Sequence, residues 1–168
     1  MNIGILGGSF NPPHLGHINL CHIAKKTLEL NQIWWFPARI NPLKKASHTN
    51  NYDNRLKLCN SITSKYPFIK VFCYNYIYAL NLIIYLNNRY PNYKFTWIIG
   101  DDIVSQIHKW HQYQKFLKNI SIAIFSRSDK INFLQKYPCW NFLKNCDHVI
   151  IRNRKFVMSS TQIRNNNV

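Results

Sequence analysis

Short, almost unbroken apolar runs alternate along the chain with longer stretches in which apolar residues recur every three or four positions. The runs NIGILG, QIWWFP, FIKVFCY, KFTWIIG, SIAIFS and HVIIR predict strands. Between them, HINLCHIAKKTLEL places Ile18, Cys21, Ile23 and Leu28 near helical spacing. Asp53 is suited to cap a second helix that carries Leu56, Leu58 and Ile62. YALNLIIYLNNRYP puts Leu80, Ile83 and Ile84 on one helical face and is closed by Pro91. DIVSQIHKWHQYQKFLK predicts one helix after the fourth strand, and a helix-like patch covers Phe133 to Leu143.

Strands that are apolar along their whole length must be covered on both faces, which in an alternating chain means a parallel sheet between helical layers. Right-handed crossovers then make a single-domain, doubly wound α/β sheet over residues 1–168. Such a sheet binds ligands beyond the carboxyl ends of its strands. Four polar stretches fall at such ends: Gly7 to His17, the loop ARINPLKKASHTNNY, Gly100-Asp101-Asp102, and Ser126-Arg127-Ser128.

Composition narrows the picture modestly. A hydrophobic content of 46% with 15% aromatics excludes a disordered chain. IYALNLIIYL is too short to span a bilayer, and no signal peptide is visible, so the expectation is a soluble cytoplasmic protein without a membrane partner. Five cysteines without a CxxC pair read as reduced thiols. The net charge of +16 fits either a nucleic-acid footprint or a smaller anionic ligand on a background of residues that AT-rich codons specify. Its spread from Lys25 to Arg164, without a recognition motif, favours the second.

The candidate chemistry centres on GGSFNPPHLGH, behind the first strand. Gly7 and Gly8 would allow a sharp turn and close approach to a ligand. A helix starting near Leu15 would aim free N–H groups and its positive dipole end at the same place, an arrangement suited to phosphate. His14 and His17, one turn apart, would share one side of that start and donate to phosphate oxygens. No third ligand stands nearby for a metal, and neither GxGxxG nor GK[ST] is present.

Gly-Ser-Phe-x-Pro-x-His-x-Gly-His, from Gly8 to His17, resembles the signature of the HxGH nucleotidyltransferases. FPARINPLKK, WIIGDDIVSQIHKWHQY and SSTQIR, in the same order, resemble nicotinate-nucleotide adenylyltransferase within that superfamily. The resemblance implies a Rossmann-like nucleotidyltransferase fold and transfer of the adenylyl group of ATP to nicotinate mononucleotide, giving deamido-NAD and pyrophosphate in NAD biosynthesis. It implies Mg²⁺ accompanying ATP with few or no protein ligands, which fits a chain with six acidic residues. It assigns catalysis to His14, His17 and Lys44, and places Gly7, Gly8, Ser9, Phe10 and Gly16 around ATP. Asp102 would accept from a ribose hydroxyl, while Ser159, Ser160, Thr161 and Arg164 would hold the outer phosphates. Lys44, Arg55, Gly100 and Trp110 would form the mononucleotide side, with the pyridine ring on Trp110. Asp101 is expected to be a plain helix-start carboxylate, and His108 and His111 to lie on the surface or at the pocket edge.

One stretch departs from the pattern. Ahead of WIIG the family carries an acidic residue and a Tyr-Thr segment; VFCYNYIYALNL has neither acid nor threonine. Two alternatives stand beside the leading one: another HxGH adenylyltransferase of the phosphopantetheine type, and a basic nucleic-acid-binding protein on a degenerated transferase scaffold. HKWHQY and NPLK argue against the first.

Overall fold

A computed structural model describes residues 1–40, 51–75, 77–126 and 131–152. Six strands, β1 (Asn2–Gly8), β2 (Gln32–Pro37), β3 (Ile69–Val71), β4 (Lys94–Gly100), β5 (Ser121–Ser126) and β6 (His148–Arg152), form one parallel sheet in the order β3-β2-β1-β4-β5-β6. The helices are α1 (Leu15–Thr27), α2 (Tyr52–Thr63), α3 (Ala79–Arg89), α4 (Asp101–Val104), α5 (Tyr113–Lys118) and α6 (Trp140–Leu143). This is the doubly wound α/β fold that the alternation of runs requires.

Successive residues of β1 feed opposite layers, as a strand's two-residue period dictates. Ile3 and Ile5 pack in the cluster that holds Leu82 and Ile83 of α3 and Phe116 of α5. Leu6 packs in the other, with Ile18 and Cys21 of α1 and Cys59 of α2.

The strand order reverses between β1 and β4, and there the ladder stops early. β1 pairs with β2 as far as Gly8 and Pro37, and β4 pairs with β5 as far as Gly100 and Phe125. Between β1 and β4 the last pair is Ile5 with Trp97. From Leu6 and Ile98 onward each strand is held only by its outer neighbour, so the two half-sheets part at their carboxyl ends. This is the crevice that the switch-point rule locates.

Several local expectations are corrected. The third strand is limited to Ile69–Val71. Asn51, not Asp53, caps α2, its Oδ1 accepting from the Asp53 N–H at 2.9 Å. α2 buries Arg55, Cys59 and Thr63 while Leu58 is exposed, and α1 buries Ala24 alongside Ile18 and Cys21. On α3 the buried set is Leu80, Leu82, Ile83 and Leu86, with Ile84 exposed.

The long helix after β4 is broken into α4, a 3₁₀ turn at Ile107–Lys109, and α5. Trp110 is extended (φ −74°, ψ 143°) and Gln112 left-handed (φ 48°, ψ 44°). Ile107 and Phe116 are both buried in the same cluster. Nine residues apart on a straight helix they would face opposite ways, so the break is what buries both. The patch before β6 resolves into a 3₁₀ helix, Ile131–Lys136, and α6. Among the described residues no helix is long and apolar enough to cross a membrane, and the five cysteines are free thiols.

Candidate active site

The β1 wall begins with two glycines, but neither makes the turn. Gly7 and Gly8 lie inside β1, and no glycine has positive φ. The left-handed residue is Phe10 (φ 45°), whose buried ring stacks on Trp35 with centroids 4.6 Å apart. Gly7 is needed for close approach: a Cβ there would come within 2.6 Å of the Trp97 ring. At Gly8 the nearest atom to such a Cβ is 3.6 Å away, ordinary contact.

His14 is the N-cap of α1 and His17 its third residue, and the two imidazoles replace the side chains of an ordinary capping box. The Gly16 N–H donates to His14 Nδ1 at 3.1 Å, and the His14 N–H donates to His17 Nδ1 at 3.2 Å. A main-chain N–H can only donate, so both Nδ1 atoms are lone-pair acceptors and each neutral ring carries its proton on Nε2. Burial lowers the pKa of His14. For His17, burial and then the neighbouring charge of His14 bring it down to about 3. The ring centroids are 3.8 Å apart, too close for two cations to coexist comfortably. At neutral pH the pair is therefore two neutral N–H donors.

This corrects one expectation about α1. The Gly16 N–H is spent on His14 Nδ1, and the His17 N–H on the His14 carbonyl at 2.9 Å. The helix start is thus not an open row of main-chain donors; the imidazoles relay its polarity outward through Nε2. Histidine at a cap was missed because Ser, Thr, Asp and Asn are the usual caps.

Ser9 adds a hydroxyl whose Oγ is buried without a hydrogen-bond partner among the described residues. Its carbonyl is held by Arg55 Nη1 at 2.5 Å, and Arg55 Nη2 reaches the Arg39 carbonyl at 3.2 Å. Arg55 is buried on α2, so in this structure it ties the β1 loop to the end of β2. A second tie is the Ala38 N–H to the Gly8 carbonyl at 2.8 Å.

The β4 wall has carboxylates. Asp101 is buried and its Oδ2 accepts from Ser126 Oγ at 2.9 Å, joining the ends of β4 and β5; it is more than a helix-start charge. Asp102 is exposed, and its Oδ1 fills the space that a Cβ on Gly100 would need. Trp110, half-buried, leans edge-on against Trp97 at 6.1 Å and packs on Phe116. Trp97 Nε1 and His108 Nδ1 are buried without a partner among the described residues. His111 is exposed and stacks on Tyr78 with centroids 4.2 Å apart. No group of three His, Cys, Asp or Glu among the described residues could hold a metal. Lys44, Ser159, Ser160, Thr161 and Arg164 lie outside the described residues.

Residues 5–166, which span the split sheet and the HxGH pair, match the cytidylyltransferase-like family. The chain belongs to the cytidylyltransferase-like family. It is 30% identical over 196 aligned positions to a probable nicotinate-nucleotide adenylyltransferase of Rhizobium leguminosarum bv. trifolii, covering 100% of this chain and 97% of the relative. With the protein of the same description from Brucella suis biovar 1 it shares 34% over 131 residues, 76% of this chain and 67% of that one. Among solved structures, the Plasmodium falciparum nicotinic acid mononucleotide adenylyltransferase complexed with NaAD superposes with a TM-score of 0.76 at 22% identity, covering 98% and 82% of the two chains. Within this cytidylyltransferase-like fold, His14, His17, Gly8 and Ser9 occupy the β1 side of the crevice, and Gly100, Asp101 and Asp102 the β4 side.

Proposed function

We propose that the protein transfers the adenylyl group of ATP to nicotinate mononucleotide, releasing pyrophosphate and forming the deamido dinucleotide. The observation that carries this reading is the imidazole pair, locked by main-chain bonds with both Nε2–H groups as neutral donors at the mouth of a split parallel sheet. A phosphate oxygen of the mononucleotide attacks the α-phosphorus of ATP. The bond from that phosphorus to the β-phosphate oxygen breaks, and pyrophosphate carries the electron pair away. Because no group on the protein need become covalently attached, the protein's work is alignment and stabilisation of growing negative charge. Neutral N–H donors fixed in advance suit that work, since they need no reorganisation as charge develops.

Supporting roles follow from placement. Ser9 Oγ, buried without a partner among the described residues, would donate to a phosphate oxygen, and the exposed Asp102 would accept from a ribose hydroxyl. Trp110 offers the mononucleotide a ring face, supported from behind by Trp97 and Phe116. Lys44 with Ser159, Ser160, Thr161 and Arg164 complete the phosphate grip in this proposal. Mg²⁺ enters as the companion of the triphosphate, its ligands mainly phosphate and water oxygens; Asp101 is already committed to Ser126. Nicotinate mononucleotide is preferred to a pantetheine acceptor because two relatives matched at 30% and 34% identity both carry that activity in their description.

The test supplies the purified protein with Mg²⁺-ATP and, in parallel, nicotinate mononucleotide, nicotinamide mononucleotide or phosphopantetheine. Pyrophosphate release with the first is expected to exceed that with the others. Release driven only by phosphopantetheine would overturn the assignment.

A further inference from the structure

Arg39 has no role in the chemistry described so far, yet it is an exposed cation whose backbone is tied to the β1 loop. It follows Ala38, whose N–H is bonded to the Gly8 carbonyl, and its own carbonyl shares the Arg55 guanidinium with the carbonyl of Ser9. Its backbone is therefore pinned beside the loop that leads into His14. Its side chain is also held: the guanidinium carbon sits 4.4 Å from the centroid of the Tyr52 ring, at the first residue of α2. Arg55 approaches the same ring at 5.4 Å.

Among the described residues the guanidinium meets no acceptor of matching strength. It has five N–H donors in a planar fork, and among the described residues the acceptor recorded for its side chain is Cys73 Sγ, a weak one, at 3.8 Å. An arginine free to wander is solvated surface. One fixed at both backbone and ring, next to the β1 loop at the carboxyl end of β2, is preorganised for a planar anion.

We propose that Arg39 is a phosphate-binding residue of this site, clamping a phosphate of one of the two nucleotides from the β2 side while the imidazole pair holds phosphate oxygens from α1. This rests on the adenylyl-transfer reading only for the identity of the mononucleotide; the shared chemistry is a phosphate ester or anhydride. Tyr52 acts as a positioning residue, holding the guanidinium against its ring beside the carboxyl end of β2.

The experiment measures equilibrium binding of ATP and of nicotinate mononucleotide separately, and of nicotinate riboside, which lacks the phosphate, to wild type and to Arg39→Ala, Arg39→Lys and Tyr52→Leu. In Arg39→Ala one of the two nucleotides should bind about 10- to 100-fold more weakly, the range for losing charged hydrogen bonds. Riboside affinity should stay within about twofold if the mononucleotide is the one affected. Arg39→Lys should recover part of the loss, and Tyr52→Leu should reproduce part of it. Thermal melting of each variant separates these effects from unfolding, and Arg39→Lys remains decisive if the alanine variant does not fold. Equal affinity for both nucleotides in Arg39→Ala, or an equal drop for the riboside, overturns the proposal. Wild-type protein that binds ATP but never releases pyrophosphate overturns the proposed reaction and leaves Arg39 to be judged on ATP alone; wild type that binds neither nucleotide overturns both.

Discussion

The two walls of the crevice start alike and end with opposite polarity. β1 and β4 both finish on a glycine and both lead into a helix. On the β1 side a loop intervenes, and the helix start is closed by two imidazoles whose lone pairs turn inward and whose N–H groups remain. On the β4 side Gly100 caps the four-residue α4 with no side-chain bond, and two carboxylates follow at once. One wall donates and the other accepts. A nucleotide presents the reverse pair of needs, since phosphate oxygens only accept while ribose hydroxyls can donate. For the proposed adenylyl transfer, this difference would set phosphates against the β1 end and a ribose against the β4 end.

The strongest way to break this contrast is at His17. His17→Ala should lower the turnover rate by at least about a hundredfold, the scale of losing a donor to developing charge. Steady-state kinetics with pyrophosphate detection would show it, and an unchanged kcat would remove the imidazole from the chemistry. The two glycines of β1 sharpen the structural half of the comparison. Gly7→Ala must displace the Trp97 ring and should cost about 1–3 kcal/mol in urea unfolding, the range for overpacking. Gly8→Ala, with its nearest contact at 3.6 Å, should leave stability nearly unchanged. Equal effects at both would mean that Gly7 is not packed as described.

On the β4 side the losses should be smaller and selective. Trp110→Ala should weaken the mononucleotide about tenfold while ATP changes little, as expected for one aromatic contact. Titration of each nucleotide separately would reveal a reversed pattern, which would place Trp110 on the wrong substrate.

Much of the fold was legible because β1, β2, β4 and β5 are apolar along most of their length, a pattern that burial on both faces explains. The third strand was read too long because Phe72 and Tyr74 look like strand residues. They instead pack from the loop onto Phe36, and Phe72 also onto Trp34. The broken helix was hidden because its cause, the joint burial of Ile107 and Phe116, is tertiary. In the site, HxGH was visible as a pattern, but its tautomers were not, since they follow from two main-chain bonds. The partnership of Asp101 with Ser126 spans 25 residues, and no local spacing announces it. The resemblance implies Arg55 on the mononucleotide side; that its guanidinium reaches two carbonyls emerges only when β1, β2 and α2 are brought together.

A last effect is on stability with pH. His17 has a folded pKa pushed down to about 3, below the ordinary value of 6.5 that it regains on unfolding. Its neutral, capping form is therefore no burden above pH 6.5. As pH falls from 6.5 toward 3 the unfolded chain takes up a proton that the folded one refuses, and stability drops. The limiting slope is about 1.4 kcal/mol per pH unit for one such histidine. Urea unfolding between pH 7 and 5 should show a shallower slope for His17→Gln than for wild type, and parallel slopes would contradict the buried neutral ring.

The most direct measurement of the paired-donor arrangement is a long-range proton–nitrogen spectrum of the imidazoles, recorded with and without a non-hydrolysable ATP analogue from pH 8 to 5.5. His17 should stay neutral throughout, His14 should take up its proton only below the ordinary 6.5, both neutral rings should carry the proton on Nε2, and the Nε2–H signals should shift when the analogue binds. Protonation of both rings near pH 6.5, or protons on Nδ1, would contradict it.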